Sequence, residues 1–341
     1  MADQHDMDSN GDSKIDGYGF ERKEDFDEQS YEAFMSTYFM VLARRAARWR
    51  PLVVGKERVS KSRKLKRFCR KGIPGEHRPL VWMEVSGAGE RMKEEPGLYR
   101  QLLTQKLDGT ATESIMLDIH RTFPENIYFA NTIDPSGLQK PLTNVLKAFA
   151  LNNPHIGYCQ GLNFVAGMML LILRSEEKAF WLLDTVTRQL LPDYYASDML
   201  AVKAEQELLG DVVRWKLPDL YAHLDQVGLH WSLVGMKWFI CLYADVLPVE
   251  TVLRIWDSLF FEGSKIVMRV ALTLIAKKKT ELMEAKDFTA TVEILKKLES
   301  DPVVLNCHTF MESIFKETGS LPRAKLRKMR ETCMRRVVAD S

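Results

Sequence analysis

Gln160 lies in Gly157-Tyr158-Cys159-Gln160-Gly161, a loop between Pro154 and an apolar run from Leu162 to Leu173 that reads as a helix buried on all sides. With glycine on its C-terminal side the carboxamide is little shielded. It also stands beside the free N–H groups of a helix start, which favour negative charge. That suits a phosphate-bearing partner, and a glutamine that merely caps a core helix fits the same residues. Arg121 ends the run Ile115-Met116-Leu117-Asp118-Ile119-His120-Arg121, ahead of Thr122-Phe123-Pro124. Ile115 and Ile119 share an inward face, while Asp118 and Arg121 share another. Pro124 disfavours helical geometry at Phe123, so the arginine is expected near a helix C-terminus, with Asp118 orienting its planar donors. An ordinary surface ion pair is the alternative. Cys159 could also be read as a nucleophile with His155 as its base. No residue is indicated to orient that base, and the thiol serves equally well as a small apolar filler.

A third block, Arg70-Lys71-Gly72-Ile73-Pro74 followed by Arg78-Pro79-Leu80-Val81-Trp82, marks a turn into a helix. Arg78 and Trp82 share a face there, where the guanidinium can lie against the indole, a scaffolding arrangement. Motifs of other chemistries are missing. The chain has neither G-x-x-x-x-G-K-[ST] nor a G-x-G-x-x-G after a strand, and it lacks HExxH, GxSxG and kinase signatures. No metal site is indicated.

The elements that must hold these blocks read as helices. Leu142, Val145, Leu146 and Phe149 form one stripe; Phe180, Leu182, Leu183 and Val186 a second; Val252, Leu253, Ile255, Trp256 and Leu259 a third. Alternating runs bounded by hairpin turns are missing, so the fold class is all-α, and no period of 30 to 50 residues suggests a solenoid. With 341 residues and 46% hydrophobic content, the chain can bury a sizeable core. Residues 1–30 hold ten Asp/Glu against three Lys/Arg and read as disordered. From Tyr31 a helical pattern runs through Phe34, Tyr38, Val41, Leu42 and Arg45. Residues 44–71 then carry thirteen Lys/Arg against Glu57. They form either a patch for acidic lipid headgroups or an acidic partner surface, or else solvated helix faces. The tail after Gly319 is basic again and reads as a last amphipathic helix or a loose end.

A formal net charge of +2 gives no reason to expect nucleic acid as a partner. Five scattered cysteines without a CxxC pair point to a reduced, intracellular protein, and a cytoplasmic location is expected. Phe164 to Leu173 is the longest apolar run and falls well short of the roughly 20 residues that span a bilayer. The N-terminus lacks a secretory signal pattern, and neither end carries a lipidation motif.

Taken in order, the three blocks resemble the signature of the TBC-domain family of Rab GTPase-activating proteins. Gly72-Ile73-Pro74 with Arg78 and Trp82 is similar to its RxxxW block, Ile115, Asp118 and Arg121 to IxxDxxR, and Tyr158, Gln160 and Gly161 to YxQG. Trp238-Phe239, Leu247-Pro248, Arg254-Ile255-Trp256-Asp257 and Glu262-Gly263-Ser264-Lys265 resemble its later segments, so that the likeness spans about residues 70 to 315. Phe149 departs from the family, which often has tyrosine there. The resemblance implies a helical domain of two lobes over residues 70–318. A helical, basic extension over 31–69 precedes it and a basic tail over 319–341 follows. The implied partner is a GTP-bound Rab-type GTPase in vesicle trafficking, with GTP and Mg²⁺ held by that partner and no cofactor in this chain. Arg121 would be an arginine finger and Gln160 a glutamine finger. Asp118, Tyr158 and Gly161 would position them or wall the site, while Arg78, Trp82 and Ile115 hold the fold. Contact with membrane would be peripheral, through residues 44–71. A scaffold of the same fold that binds a GTPase or another partner without accelerating hydrolysis is the alternative, since fold does not fix function.

Overall fold

A computed structural model of the chain describes residues 15–22, 27–56, 58–130 and 136–340. Among these residues the regular structure is helical, and the only β pairing is two isolated bridges, Ile15 with Glu21 and Phe20 with Asn126. The helices are α1 (Glu28–Val53), α2 (Arg63–Lys71), α3 (Arg78–Ser86), α4 (Ala88–Glu94), α5 (Leu98–Thr104), α6 (Gly109–Ile119), α7 (Ile127–Ala130), α8 (Gln139–Asn152), α9 (Leu162–Leu173) and α10 (Glu176–Thr185). There follow α11 (Leu200–Lys216), α12 (Pro218–Gln226), α13 (Met236–Ile240), α14 (Val249–Glu262), α15 (Lys265–Lys277), α16 (Lys279–Glu284), α17 (Phe288–Lys296), α18 (Pro302–Leu305), α19 (Cys307–Lys316) and α20 (Arg323–Ala339). Helices α4 to α6 and α8 to α10 pack on one another, as do α11 to α16 with α19 and α20, and α3 joins the groups by touching α9, α10 and α14.

The three apolar stripes lie inward, as their spacing requires. Leu142, Val145, Leu146 and Phe149 of α8 are fully buried, as are Phe180, Leu182, Leu183 and Val186, and Val252, Leu253, Ile255, Trp256 and Leu259 of α14. Truncating one of the phenylalanines to alanine is worth about 3–5 kcal/mol, because a cavity replaces the ring. Helix α8 stops where Pro154 forces Asn153 out of helical geometry, at φ −129° and ψ 64°. Helix α9 is buried on nearly every side, with only Phe164 and Ile172 half-buried, so the loop before it is anchored to a core helix.

Arg78 and Trp82 do not stack on each other as their spacing suggested. Both reach Asp257 of α14, whose carboxylate accepts from Arg78 Nε at 3.2 Å, Trp82 Nε1 at 2.8 Å and the Ile73 backbone N–H at 2.9 Å. A buried carboxylate is the stronger attractor, since leaving it unpaired costs more than a cation–π contact returns. Burial opposes the charge on Arg78, yet the Asp257 and Glu250 carboxylates beside it hold its ionisation well above the ordinary range.

Most of the acidic segment read as disordered, residues 1–14 and 23–26, lies outside the described residues. Residues 15–22 do not fit that reading, because they dock on the body. The Tyr18 hydroxyl donates to Glu250 and accepts from Arg78 at 3.2 Å. In the basic stretch, α1 buries Arg45 and Trp49, and Glu262 pairs with Lys66 and Arg70 at 3.0 and 2.5 Å, so part of that charge is spent inside the fold. Arg44, Arg48, Arg63 and Arg67 stay exposed. The C-terminal stretch is the helical alternative: α20 lies along α11, burying Leu326 and Cys333, with Arg330 paired to Glu205. Among the described residues no helix is long and apolar enough to cross a membrane.

Candidate functional site

Helix α6 ends at Ile119, and Arg121 stands in the turn that follows, with its side chain half exposed. Phe123 closes this turn at φ +49°, a left-handed conformation held by its ring, which packs edge-on against Phe129 and Phe164. The turn can lie close on α9 because Gly167 has no side chain: a Cβ there would come within 3.1 Å of the Phe123 ring and 3.2 Å of Thr122.

Asp118 is the centre of the site. Its nearly buried carboxylate accepts from Arg121 Nη2 at 2.6 Å through Oδ1, and through Oδ2 from the hydroxyl of Tyr158, two residues before Gln160. Burial first, then the hydrogen bond to Asp118, pushes the Tyr158 phenol well above its usual ionisation range, so it acts as a donor throughout the neutral range. A second tie runs beneath. Thr122 Oγ1 donates to the Asp118 carbonyl at 2.6 Å and accepts from Asn163 Nδ2 at 2.9 Å, and Asn163 Oδ1 accepts from the Gly161 N–H at 3.0 Å. The two blocks read separately in the sequence are therefore joined on both sides of Gln160.

Gln160 itself is exposed, immediately ahead of α9, which starts from Gly161. Gly161 sits at φ +104°, and a Cβ there would approach the Ile240 carbonyl oxygen to 3.2 Å, so only glycine fits. The loop thus presents one free carboxamide over a fixed backbone. Ile115 is buried on α6, ahead of the turn that carries Arg121. Arg78 and Trp82 belong to the separate cluster on Asp257. Thr122 and Asn163 were not picked out from the sequence, although a lone asparagine at the head of an apolar run was the available signal. Among the described residues, no group of three or more His, Cys, Asp or Glu side chains is arranged to hold a metal ion.

Cys159 lies on the same loop, half-buried, with its Sγ 3.8 Å from Met199 Sδ. Burial and the Asp118 charge push its thiol up to about 11, so at neutral pH it is not the thiolate a nucleophile needs. His155 is exposed.

The model of the Rab-GTPase-TBC domain matches residues 75–283, and the chain belongs to that family. Within the family it is similar to growth hormone-regulated TBC protein 1-A of Danio rerio, 49% identical over 96% of this chain and 92% of that one. Growth hormone-regulated TBC protein 1 of Homo sapiens is likewise 49% identical, over 96% of this chain and 97% of its own length. Among solved structures, the Chlamydomonas flagellar RabGAP TBC domain superposes with a TM-score of 0.75 at 30% identity, covering 89% of this chain and 99% of that one. The Ypt/Rab-GAP domain of Gyp1p, at 20% identity and a TM-score of 0.68 over 81% of this chain and 98% of its own, shares the fold.

Proposed function

We propose that this protein accelerates GTP hydrolysis by a Rab-type small GTPase, acting in trans on the GTP and Mg²⁺ that the partner holds. One observation carries the reading: exposed Arg121 and the loop of exposed Gln160 are bonded to the two oxygens of one carboxylate, Asp118. The similarity to the Chlamydomonas flagellar RabGAP TBC domain supports the partner class.

Small GTPases hydrolyse slowly because charge on the transferring phosphoryl group is poorly neutralised and the attacking water is poorly aimed. Arg121 supplies the positive charge with a forked, permanently ionised head that suits phosphate oxygens. Asp118 keeps that head from wandering without burying it. Gln160 orients the water through its carboxamide, held out by Gly161. An arginine supplied in trans contributes roughly 10³ to 10⁵ in rate, about 4–7 kcal/mol of barrier.

The test is phosphate release from a panel of GTP-loaded Rab proteins with wild type and Arg121→Ala. The expected result is a loss of orders of magnitude in the variant with Rab binding kept. Capture of a GTP-bound Rab with no turnover at any concentration of wild type would overturn the catalytic reading in favour of the scaffold.

A further inference from the structure

The segment of residues 15–22 lies outside the 75–283 match and outside the two blocks that carry the site, yet it is bonded to the loop on which Arg121 stands. It is a compact loop in its own right. Asp16 Oδ1 accepts from the Tyr18 and Phe20 N–H groups at 2.8 and 2.9 Å, and Asp16 N–H donates to the Phe20 carbonyl at 2.8 Å. Such side-chain to backbone bonds fix the turn.

Its outer surface then meets the stretch after Arg121 residue by residue. The Glu21 N–H donates to the Glu125 carbonyl at 2.8 Å, the Ile127 N–H to the Gly19 carbonyl at 2.9 Å, and Asn126 Nδ2 to the Tyr18 carbonyl at 3.1 Å. Asn126 is itself fully buried beneath the segment. Phe20 packs edge-on against Phe123, ring centroids 5.4 Å apart. Phe123 is the residue with the left-handed backbone, two positions after Arg121, and its other ring neighbours, Phe129 and Phe164, lie on α7 and α9. At the far end, Tyr18 is held between Arg78 of α3 and Glu250 of α14, and Arg22 pairs with Glu28 at the start of α1 at 2.5 Å.

A left-handed phenylalanine is sparsely populated unless packing over-determines it. Two sides of that packing come from the domain's own helices, and one comes from Phe20. We propose that residues 15–22 are a positioning strap for the arginine: Phe20, clamped through Tyr18 to the Arg78 and Glu250 pair, holds Phe123 and with it the backbone that aims Arg121. The strap touches no reacting group. It acts on the geometry of the 121–127 loop, so its removal should lower turnover more than it weakens capture of the GTPase.

This inference rests on the GTPase-activating reading, and the experiment separates the two. Full-length wild type, Phe20→Ala and the conservative Phe20→Leu are compared by hydrogen exchange and by stimulated GTP hydrolysis on a Rab that wild type activates. The strap predicts faster exchange over residues 120–130 in Phe20→Ala, with α11 and α14 unchanged. It also predicts a fall of about ten- to a hundredfold in kcat with KM within about twofold, and partial recovery in Phe20→Leu. Unaltered exchange at 120–130 overturns the strap, whether or not any Rab responds to wild type. A raised KM at constant kcat also overturns it, because the segment would then be a binding surface. If wild type activates no Rab, the GTPase-activating reading fails by itself, and the exchange data still decide whether the strap holds the loop.

Discussion

Tyr158→Phe removes one oxygen atom from the site and tests how Asp118 is held. In the native fold Asp118 has two partners of different weight. Arg121 is half exposed, so its ion pair competes with water and contributes about 0–1 kcal/mol. Tyr158 is half-buried and its hydroxyl donates to a carboxylate that is 7% exposed. A hydrogen bond to a charged acceptor in that setting contributes about 1.5–3 kcal/mol, and its loss leaves Oδ2 without a donor. Tyr158→Phe should therefore destabilise the fold by about 1.5–3 kcal/mol, whereas Arg121→Ala should cost under about 1 kcal/mol. Burial and Asp118 raise the Tyr158 ionisation above its usual value of about 10. The stability supplied by the protonated phenol is accordingly complete below that value and is lost only as pH climbs through the raised one, so the difference between wild type and variant should stay flat from about pH 6 to 9. Urea unfolding followed by circular dichroism, with the slope unchanged between proteins, measures both costs. Stimulated GTP hydrolysis, read alongside, should fall in Tyr158→Phe because a carboxylate held only through Oδ1 orients the arginine less firmly. A Tyr158→Phe protein as stable and as active as wild type would refute the placing of Asp118 at the centre of the site.

The loop glycines give a second comparison. Gly161→Ala meets the Ile240 carbonyl at 3.2 Å as well as an unfavourable φ, whereas a Cβ at Gly157, at φ +62°, meets nothing within 4 Å. Thermal unfolding should therefore show Gly161→Ala as the more destabilising, Gly157→Ala costing only about 1–2 kcal/mol of backbone strain, and stimulated hydrolysis should fall further in Gly161→Ala. With its thiol pushed up to about 11, Cys159 is expected to be dispensable and slow to alkylate at pH 7.5. Cys159→Ser should keep full activity, and a loss of several orders of magnitude would reinstate the nucleophile.

Much of the fold was legible because helical burial repeats over a few residues. The stripes of α8, α10 and α14 depend on spacing alone, and the structure buries all three. The Asp118 and Arg121 pairing was legible for the same reason, being local. Contacts between distant residues were not. Arg78 and Trp82 appeared to need each other because nothing in their neighbourhood revealed Asp257, which lies 179 and 175 positions away. The Thr122 to Asn163 bond was hidden likewise, across 41 positions. Residues 15–22 were obscured by averaging: ten carboxylates in the first 30 residues outweighed Tyr18 and Phe20, the two side chains that dock.

The Asp257 cluster has a consequence for how this protein is made. Synthesis runs from the N-terminus, and Ile73, Arg78 and Trp82 leave the ribosome long before the acceptor that satisfies all three. Throughout that interval the Ile73 N–H and the Trp82 indole N–H, both destined for the interior, lack that acceptor, and Arg78 has Tyr18 but neither the Asp257 nor the Glu250 carboxylate. The cluster around α3 cannot be completed until α14 has emerged. Chains cut between residues 87 and 256 should collapse loosely, be retained by chaperones and yield aggregate where the intact polypeptide yields soluble product.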